Sequence, residues 1–342
     1  MFKKRVKLGE KYVGPNDPVY IIAEGGLSNW GRLDLAKLQV DAAMAAGADA
    51  IKFQAQSTEE LVSKKIDSNW YKRLKYKELS YRDLSSLWEY CKIRNIQCFI
   101  TAHTEKDLDF LDKELNVPFF KIGSGESINN HFLKNVAKRK KPILISFGLH
   151  LSLKEIDNSL KILKLHGAKD VIILHCLTTY PSPAESCNLK MIEKLKEKYQ
   201  CPIGYSDHSK GLHIPVAAVT LGARVIEKHL SFNKRDKRSF DNAGSCVPED
   251  LIQLVDQIRE VEKAIKPNLV KRNKEIKKAR IWASQSIVAS KNIKKGETIK
   301  IQMLAFKRPG IGLPPQMSKK LIGKKAKQNI EKDCLILNKN LS

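Results

Sequence analysis

No run in this sequence approaches the ~20 consecutive apolar residues of a membrane-spanning helix. The opening segment, MFKKRVKLGEKYVG, is basic with no apolar stretch behind it, so no secretory leader is expected there. No C-x-x-C pair occurs among the seven cysteines (Cys91, Cys98, Cys176, Cys187, Cys201, Cys246 and Cys334). Zinc-type spacing is therefore absent, and the odd count argues against a disulfide framework. A reducing cytoplasm is the expected compartment. No G-x-G-x-x-G or G-x-x-x-x-G-K-[ST] follows an apolar run, which speaks against a dinucleotide or P-loop site. Acids are scarce too: 37 Asp and Glu stand against 62 Lys and Arg, a formal net charge of +25. The excess is spread over segments such as KLKEKY, LKILKLHGAKD and KRNKEIKKAR, without a helix-turn-helix, zinc-finger or aromatic RNA-binding signature. It predicts a lysine-rich surface and small anionic substrates, not nucleic acid.

What the sequence does have is alternation. Eight short apolar runs (VYIIAE, DAIKFQA, QCFITAH, FFKIGSG, PILISFG, VIILHCL, IGYSDH and RVIEKHL) are separated by helix-period segments such as LDLAKLQVDAAMAA and LKEIDNSLKILKL. Strands apolar throughout, each followed by a helix, predict a parallel (β/α)8 TIM barrel. An echo supports it: AAGADAIKFQ, LHGAKDVIIL and TLGARVIEKH each run helix end, glycine (Gly47, Gly167, Gly222), strand.

The pattern changes after residue 265. Residues 1–265 are expected to form the barrel, 266–282 a charged linker or exposed helix, and 283–342 a small β-rich domain. A second echo, ASKNIKKGETI and AKQNIEKDCLI, predicts internal two-fold pseudosymmetry in that last part.

Active sites of such barrels lie at the C-terminal strand ends. Here those ends carry Glu24, Lys52, Thr101, Lys121, Ser124, Glu126, Ser146, His175, Tyr180, Ser206, Asp207, His208, Glu227 and His229. Packing alone does not load charge onto so many consecutive strand ends, because buried unpaired charge is costly. Lys52 and Lys121, with Ser and Thr neighbours, suit phosphate or carboxylate. His208 and His229, flanked by Asp207 and Glu227, suit a divalent metal such as Mn2+, Co2+ or Fe2+.

The ordered motifs AE-G---N-G, IKFQ, FKIGSGE, YPSP, GYSDHS and VIEKH resemble the sialic acid synthase family, and the tail KNIKKGETI…FKRPGIG resembles its C-terminal antifreeze-like (SAF) domain. The likeness spans nearly the whole chain. It implies condensation of phosphoenolpyruvate with an acylated aminohexose, such as N-acetylmannosamine, with release of phosphate. It implies phosphoenolpyruvate contacts at Lys52, Thr101, Lys121, Ser124, Ser146 and Ser206. His208 and His229 match the metal ligands, for Mn2+ with Mg2+ or Co2+ as alternatives. Glu24 and Glu126 are the expected proton-moving acids. Tyr180, Asp241 and Arg308 are expected at the sugar, with Arg308 delivered by the partner in a domain-swapped homodimer. Two segments depart from the family pattern. AEGGLSNWG places Asn29 and Trp30 where the family has His and Asn, and SFDNAGS keeps Asp241 and Ser245 but lacks the family's Pro and His. The rival expectations are another phosphoenolpyruvate-dependent sugar-acid synthase, or a non-catalytic carbohydrate- or nucleic-acid-binding relative.

Overall fold

A short antiparallel hairpin, β1 (Val6–Leu8) and β2 (Lys11–Val13), opens the chain. Eight parallel strands follow: β3 (Tyr20–Glu24), β4 (Ala50–Ala55), β5 (Gln97–Ala102), β6 (Phe120–Ile122), β7 (Ile143–Phe147), β8 (Val171–Cys176), β9 (Ile203–Asp207) and β10 (Val225–His229). They close as β10-β3-β4-β5-β6-β7-β8-β9, the expected TIM barrel. The computed structural model describes residues 2–266 and 268–342.

Because strand side chains alternate between faces, each strand serves two cores. Tyr20, Ile22, Phe99, Leu144, Leu174 and Val225 point inward, packed with Val6, Leu8 and Val13 of the hairpin, which closes the N-terminal end of the barrel. Their neighbours Ile21, Ile51, Phe53, Ile145, Ile173 and Ile226 face the helices. Both faces are dry, so the strands read as continuous apolar runs. Some helix starts are fixed by side-chain caps: Ser80 and Ser152 accept from the backbone N–H groups of Asp83 and Glu155. Gly47, Gly167 and Gly222, the glycines of the echo, take φ of +74°, +99° and +102° at helix stops.

The chain divides into two compact units, Met1–Ile265 and Lys266–Ser342. In the second, the segment expected as linker or exposed helix forms a helix, Leu269–Ala283, with no buried residue. Strands β11 (Ser286–Ala289) and β12 (Leu304–Lys307) pair antiparallel beside a core that includes Ile287, Ile293, Ile299, Leu321, Ile330 and Ile336. The two halves of the sequence echo bind each other by matching contacts. Ile293 and Ile330 exchange two backbone hydrogen bonds of 2.8 Å each. Asn292 Oδ1 accepts from Lys332 N while its counterpart Asn329 Oδ1 accepts from Lys295 N, again 2.8 Å each. The expected pseudosymmetry is thus written in hydrogen bonds.

All seven cysteines are free thiols. No described helix is long and apolar enough to cross a membrane.

The outer faces of β9 and β10 hold one buried ion pair. Lys228 Nζ donates to Asp207 Oδ2 and to Ser209 O, both at 2.5 Å, with Lys228 1% and Asp207 0% exposed. Breaking it by Lys228→Met strands a buried carboxylate, which should cost about 3–5 kcal/mol of unfolding free energy. Adding Asp207→Asn should recover more than half of the loss. Chemical denaturation measures both, and a single variant within about 1 kcal/mol of the parent would contradict the assignment.

Candidate active site at the C-terminal mouth of the barrel

Toward the C-terminal end of the strands, the inward positions change from apolar to polar. Glu24, Lys52, Thr101, Lys121, Ser146, Cys176, Ser206 and Glu227 are all buried there. Strand register sets the neighbours: Glu24 lies opposite Lys52, Thr101 opposite Lys121, and Ser206 opposite both Glu227 and Cys176. Lys52 Nζ lies against Glu24 Oε2, 3.9 Å from Glu227 Oε2, and donates to Thr101 Oγ1 at 3.1 Å. Lys121 Nζ reaches Glu227 Oε1 at 3.2 Å, and Ser206 Oγ donates to that oxygen at 2.8 Å. Gln54 Nε2 donates to Glu24 Oε1 at 2.9 Å.

Two lysines and two carboxylates thus share one dry layer, and the balance of sign makes their burial tolerable. Burial opposes the charge of Lys52, but Glu227 and Glu24 outweigh it and raise its pKa above the usual lysine value. For Lys121 burial wins: with Lys52 adding to it, the pKa falls below the usual value despite Glu227. Burial would raise the pKa of Glu227, but Lys121 and Lys52 hold it below the carboxylate range. Beside this layer, the hydroxyls of Ser146 and Thr178 are buried without a hydrogen-bond partner among the described residues. Proteins rarely leave such groups unpaired. Unpaired hydroxyls beside lysine side chains can donate to a bound anion, whose charge would also offset the burial that lowers the Lys121 pKa.

His208 and His229 stand above this layer, ring centroids 5.5 Å apart, with the ring of Tyr180 4.2 Å from His208 and edge-on to His229 at 5.9 Å. The Nδ1–H of His208 donates to Leu177 O at 2.7 Å, which leaves Nε2 with its lone pair. Burial, reinforced by His229, pushes the His208 pKa down to about 3, so the ring is neutral. Nδ1 of His229 is buried and unpartnered among the described residues. Among those residues no three His, Cys, Asp or Glu side chains gather into a cage for a cation. Two imidazoles, each with a ring nitrogen free of a protein partner among the described residues, fit a metal that takes its remaining ligands from water or substrate oxygens.

On the far side of the mouth, Glu126 Oε1 lies 3.1 Å from Nδ1 of His103. Ser124 Oγ accepts from Gly148 N at 2.9 Å and lies 3.3 Å from Cys176 Sγ, whose pKa burial pushes up to about 11. A Cβ on Gly148 would sit 2.3 Å from Thr178 Oγ1 and 2.8 Å from Ser124 Oγ, so only glycine lets these groups converge. Asp241 is half-buried on the loop after β10 and accepts from Ser239 Oγ at 3.2 Å.

Some strand-end residues turn away. Asp207 faces the helices and pairs with Lys228, so it does not support a metal at His208. A ring N–H of His175 donates outside the barrel, to Cys187 O at 2.8 Å. Glu227 points inward, engaged by both lysines and Ser206. Arg308 lies in the second unit, with its side chain exposed. Sequence reasoning missed His103, Gln54, Thr178 and Lys77. The first three had a signal, being polar residues in or just beyond apolar strands.

The two departing segments pack on each other. Ser28 Oγ donates to Asn242 Oδ1 at 3.1 Å, and the guanidinium of Arg238 lies 4.3 Å over the Trp30 ring. Lys77, buried beneath them, donates to Arg238 O at 2.8 Å and lies 5.4 Å from the Trp30 ring. Burial pulls the Lys77 pKa below the usual lysine value, with Asp241 opposing. Asn29 closes its own turn, donating to Gly26 O at 3.0 Å.

Comparison with known proteins matches this architecture. Residues 39–269 match the NeuB family and residues 284–342 the SAF domain. The chain is 36% identical to an N,N'-diacetyllegionaminic acid synthase of Campylobacter jejuni, over 92% of this chain and 98% of that protein. It is also 36% identical to a pseudaminic acid synthase of the same organism, over 92% and 94%. A crystal structure of the N-acetylneuraminic acid synthetase of Leptospira borgpetersenii, in complex with citrate, superposes with a TM-score of 0.73 at 35% identity, covering 80% of this chain and 96% of that one. The barrel and the C-terminal domain agree with these matches, and the chain belongs to the NeuB family of sialic acid synthases.

Proposed function

We propose that this protein condenses phosphoenolpyruvate with an N-acylated aminohexose such as N-acetylmannosamine, forming a nonulosonic acid and releasing phosphate. The observation that carries this reading is the buried lysine pair, Lys52 and Lys121, beside unpartnered hydroxyls at the floor of the barrel mouth. A small, highly charged anion is what such a floor would hold. Equal identity to synthases of two different products supports the reaction class and leaves the acceptor sugar open.

In this reading Lys52, Thr101, Lys121, Ser124, Ser146 and Ser206 take the phosphate and carboxylate of phosphoenolpyruvate. Its enol carbon bonds to the sugar's carbonyl carbon, and the carbonyl oxygen takes up a proton. Water adds at the neighbouring carbon and loses a proton; the carbon–oxygen bond to phosphate then breaks as the new hydroxyl gives its proton to the departing phosphate, leaving a keto acid. Preset lysines and hydroxyls stabilise the moving charge without reorganising. Glu126 keeps one oxygen unpartnered and is suited to carry protons. Glu24 is tied to Lys52 and Gln54 and holds the lysine in place. His208 and His229 would hold a divalent cation, Mn2+ in our reading, which supplies Lewis-acid polarisation of the sugar carbonyl. Tyr180 and Asp241 face the sugar, and the interlocked Ser28–Trp30 and Arg238–Asn242 segments form the wall that selects it. The enzyme works in the cytoplasm as a homodimer in which Arg308 of the partner subunit completes the sugar site. The exposed Arg308 guanidinium, with no acidic partner among the described residues, supports that role.

Incubation with phosphoenolpyruvate, Mn2+ and a panel of acylated aminohexoses should release phosphate with at least one of them and yield a product heavier by the three-carbon acid. Exhaustive chelation should abolish release and Mn2+ restore it. Absence of release across the panel, or full turnover after chelation, would contradict the proposal. A second experiment mixes two inactive variants, Arg308→Ala and Lys121→Ala. With shared sites, mixed dimers regain one working site in two, while a mixture that stays inactive despite subunit exchange places Arg308 outside its partner's site.

A further inference from the structure

His103 follows β5 directly, and nothing in the comparisons assigns it a role. Its ring nitrogen Nδ1 lies 3.1 Å from Glu126 Oε1, with the two side chains only 17% and 11% exposed. The other atoms of the same two groups, His103 Nε2 and Glu126 Oε2, are buried and have no hydrogen-bond partner among the described residues. The pair therefore meets through one edge and leaves the other edge of each group unsatisfied. A Cβ on Gly123 would lie 2.6 Å from Glu126 Oε2 and 3.7 Å from His103 Cε1, so a glycine keeps the space beside them clear.

The segment carrying His103 is firmly anchored. Thr104, the next residue, caps the helix Glu105–Asp109 through a reciprocal pair of bonds with Asp107. Asp107 in turn accepts from Ser57 Oγ at 3.2 Å and Tyr81 Oη at 2.8 Å, so three segments fix its position. Such anchoring would serve little purpose for an imidazole that merely filled space at the edge of the mouth.

We propose that His103 is a positioning residue for Glu126. Its Nδ1–H donates to Oε1 and fixes the rotamer of the carboxyl group, so that Oε2 and the imidazole Nε2 are presented together to the reacting sugar and water. The inference rests on the synthase reading above for the identity of the reactants, but the pairing itself does not.

An asparagine can place its amide nitrogen near the position of Nδ1, so it should replace the donor that alanine removes. His103→Ala should lower kcat about 10- to 100-fold with KM for phosphoenolpyruvate within about twofold of the parent. His103→Asn should return kcat to within about threefold, and His103→Ala added to Glu126→Gln should cost nothing further. Imidazole 15N shifts give a readout without turnover: His103 should be the Nδ1-protonated tautomer, and its signals should move in Glu126→Ala. Full activity of a folded His103→Ala, or equal loss in His103→Asn, would overturn the positioning role. If the parent releases no phosphate with any sugar, the synthase reading fails. The 15N shifts then still decide the pairing, which is refuted if they do not change in Glu126→Ala.

Discussion

The ammonium of Lys52 lies between the carboxylates of Glu24 and Glu227, 3.9 Å from the second, and all three residues are buried. An isolated lysine at that depth would lose its proton or unfold the barrel around it. With two carboxylates beside it, and Lys121 sharing Glu227, the layer is close to neutral and can be dry. This constraint runs through the rest of the mouth. Four strands must hold register closely enough to place β3, β4, β6 and β10 side chains within contact of each other. The hairpin and the apolar lower layers supply the rigidity for that.

The division of the barrel interior follows from the same constraint. Its N-terminal half is filled by Tyr20, Ile22, Phe99 and Leu144, and its C-terminal half by charge. Hydrophobic burial below stabilises the fold, and the polar layer above spends part of that stability on preset charges. Unpartnered atoms at Ser146, Thr178, Glu126 and His229 all lie in this upper half. They are a cost in the free protein and become useful once a ligand supplies their partners.

Much of this was legible in the sequence, for a physical reason. In a parallel barrel both faces of a strand are buried, so a lysine inside AIKFQ or FFKIG stands out against its surroundings. The same double burial hides which face a residue takes. In VIEKH the parity of Glu227 and Lys228 cannot be fixed without neighbours, and in GYSDH Asp207 reads as readily as a site residue as the helix-side partner of Lys228 that it is. His103 also carried a signal, a polar residue just past its strand, but only its contact with Glu126 makes that signal specific. The contact of Trp30 with Arg238 joins loops about two hundred positions apart in the chain and follows no period. In the second unit the repeated Asn-Ile pairs were read as an echo, and their mutual bonding accounts for why the repeat exists.

The central claim is that the Lys52 and Lys121 layer is a built anion site. The most direct test is thermal unfolding of the parent, Lys52→Met and Lys121→Met with and without phosphoenolpyruvate. A ligand that binds only the folded state stabilises it by RT ln(1 + [L]/Kd), so at fixed concentration the midpoint shift shrinks as affinity is lost. The account predicts a clear upward shift for the parent and none for either variant at the same ligand concentration. An equal shift in all three proteins would contradict it.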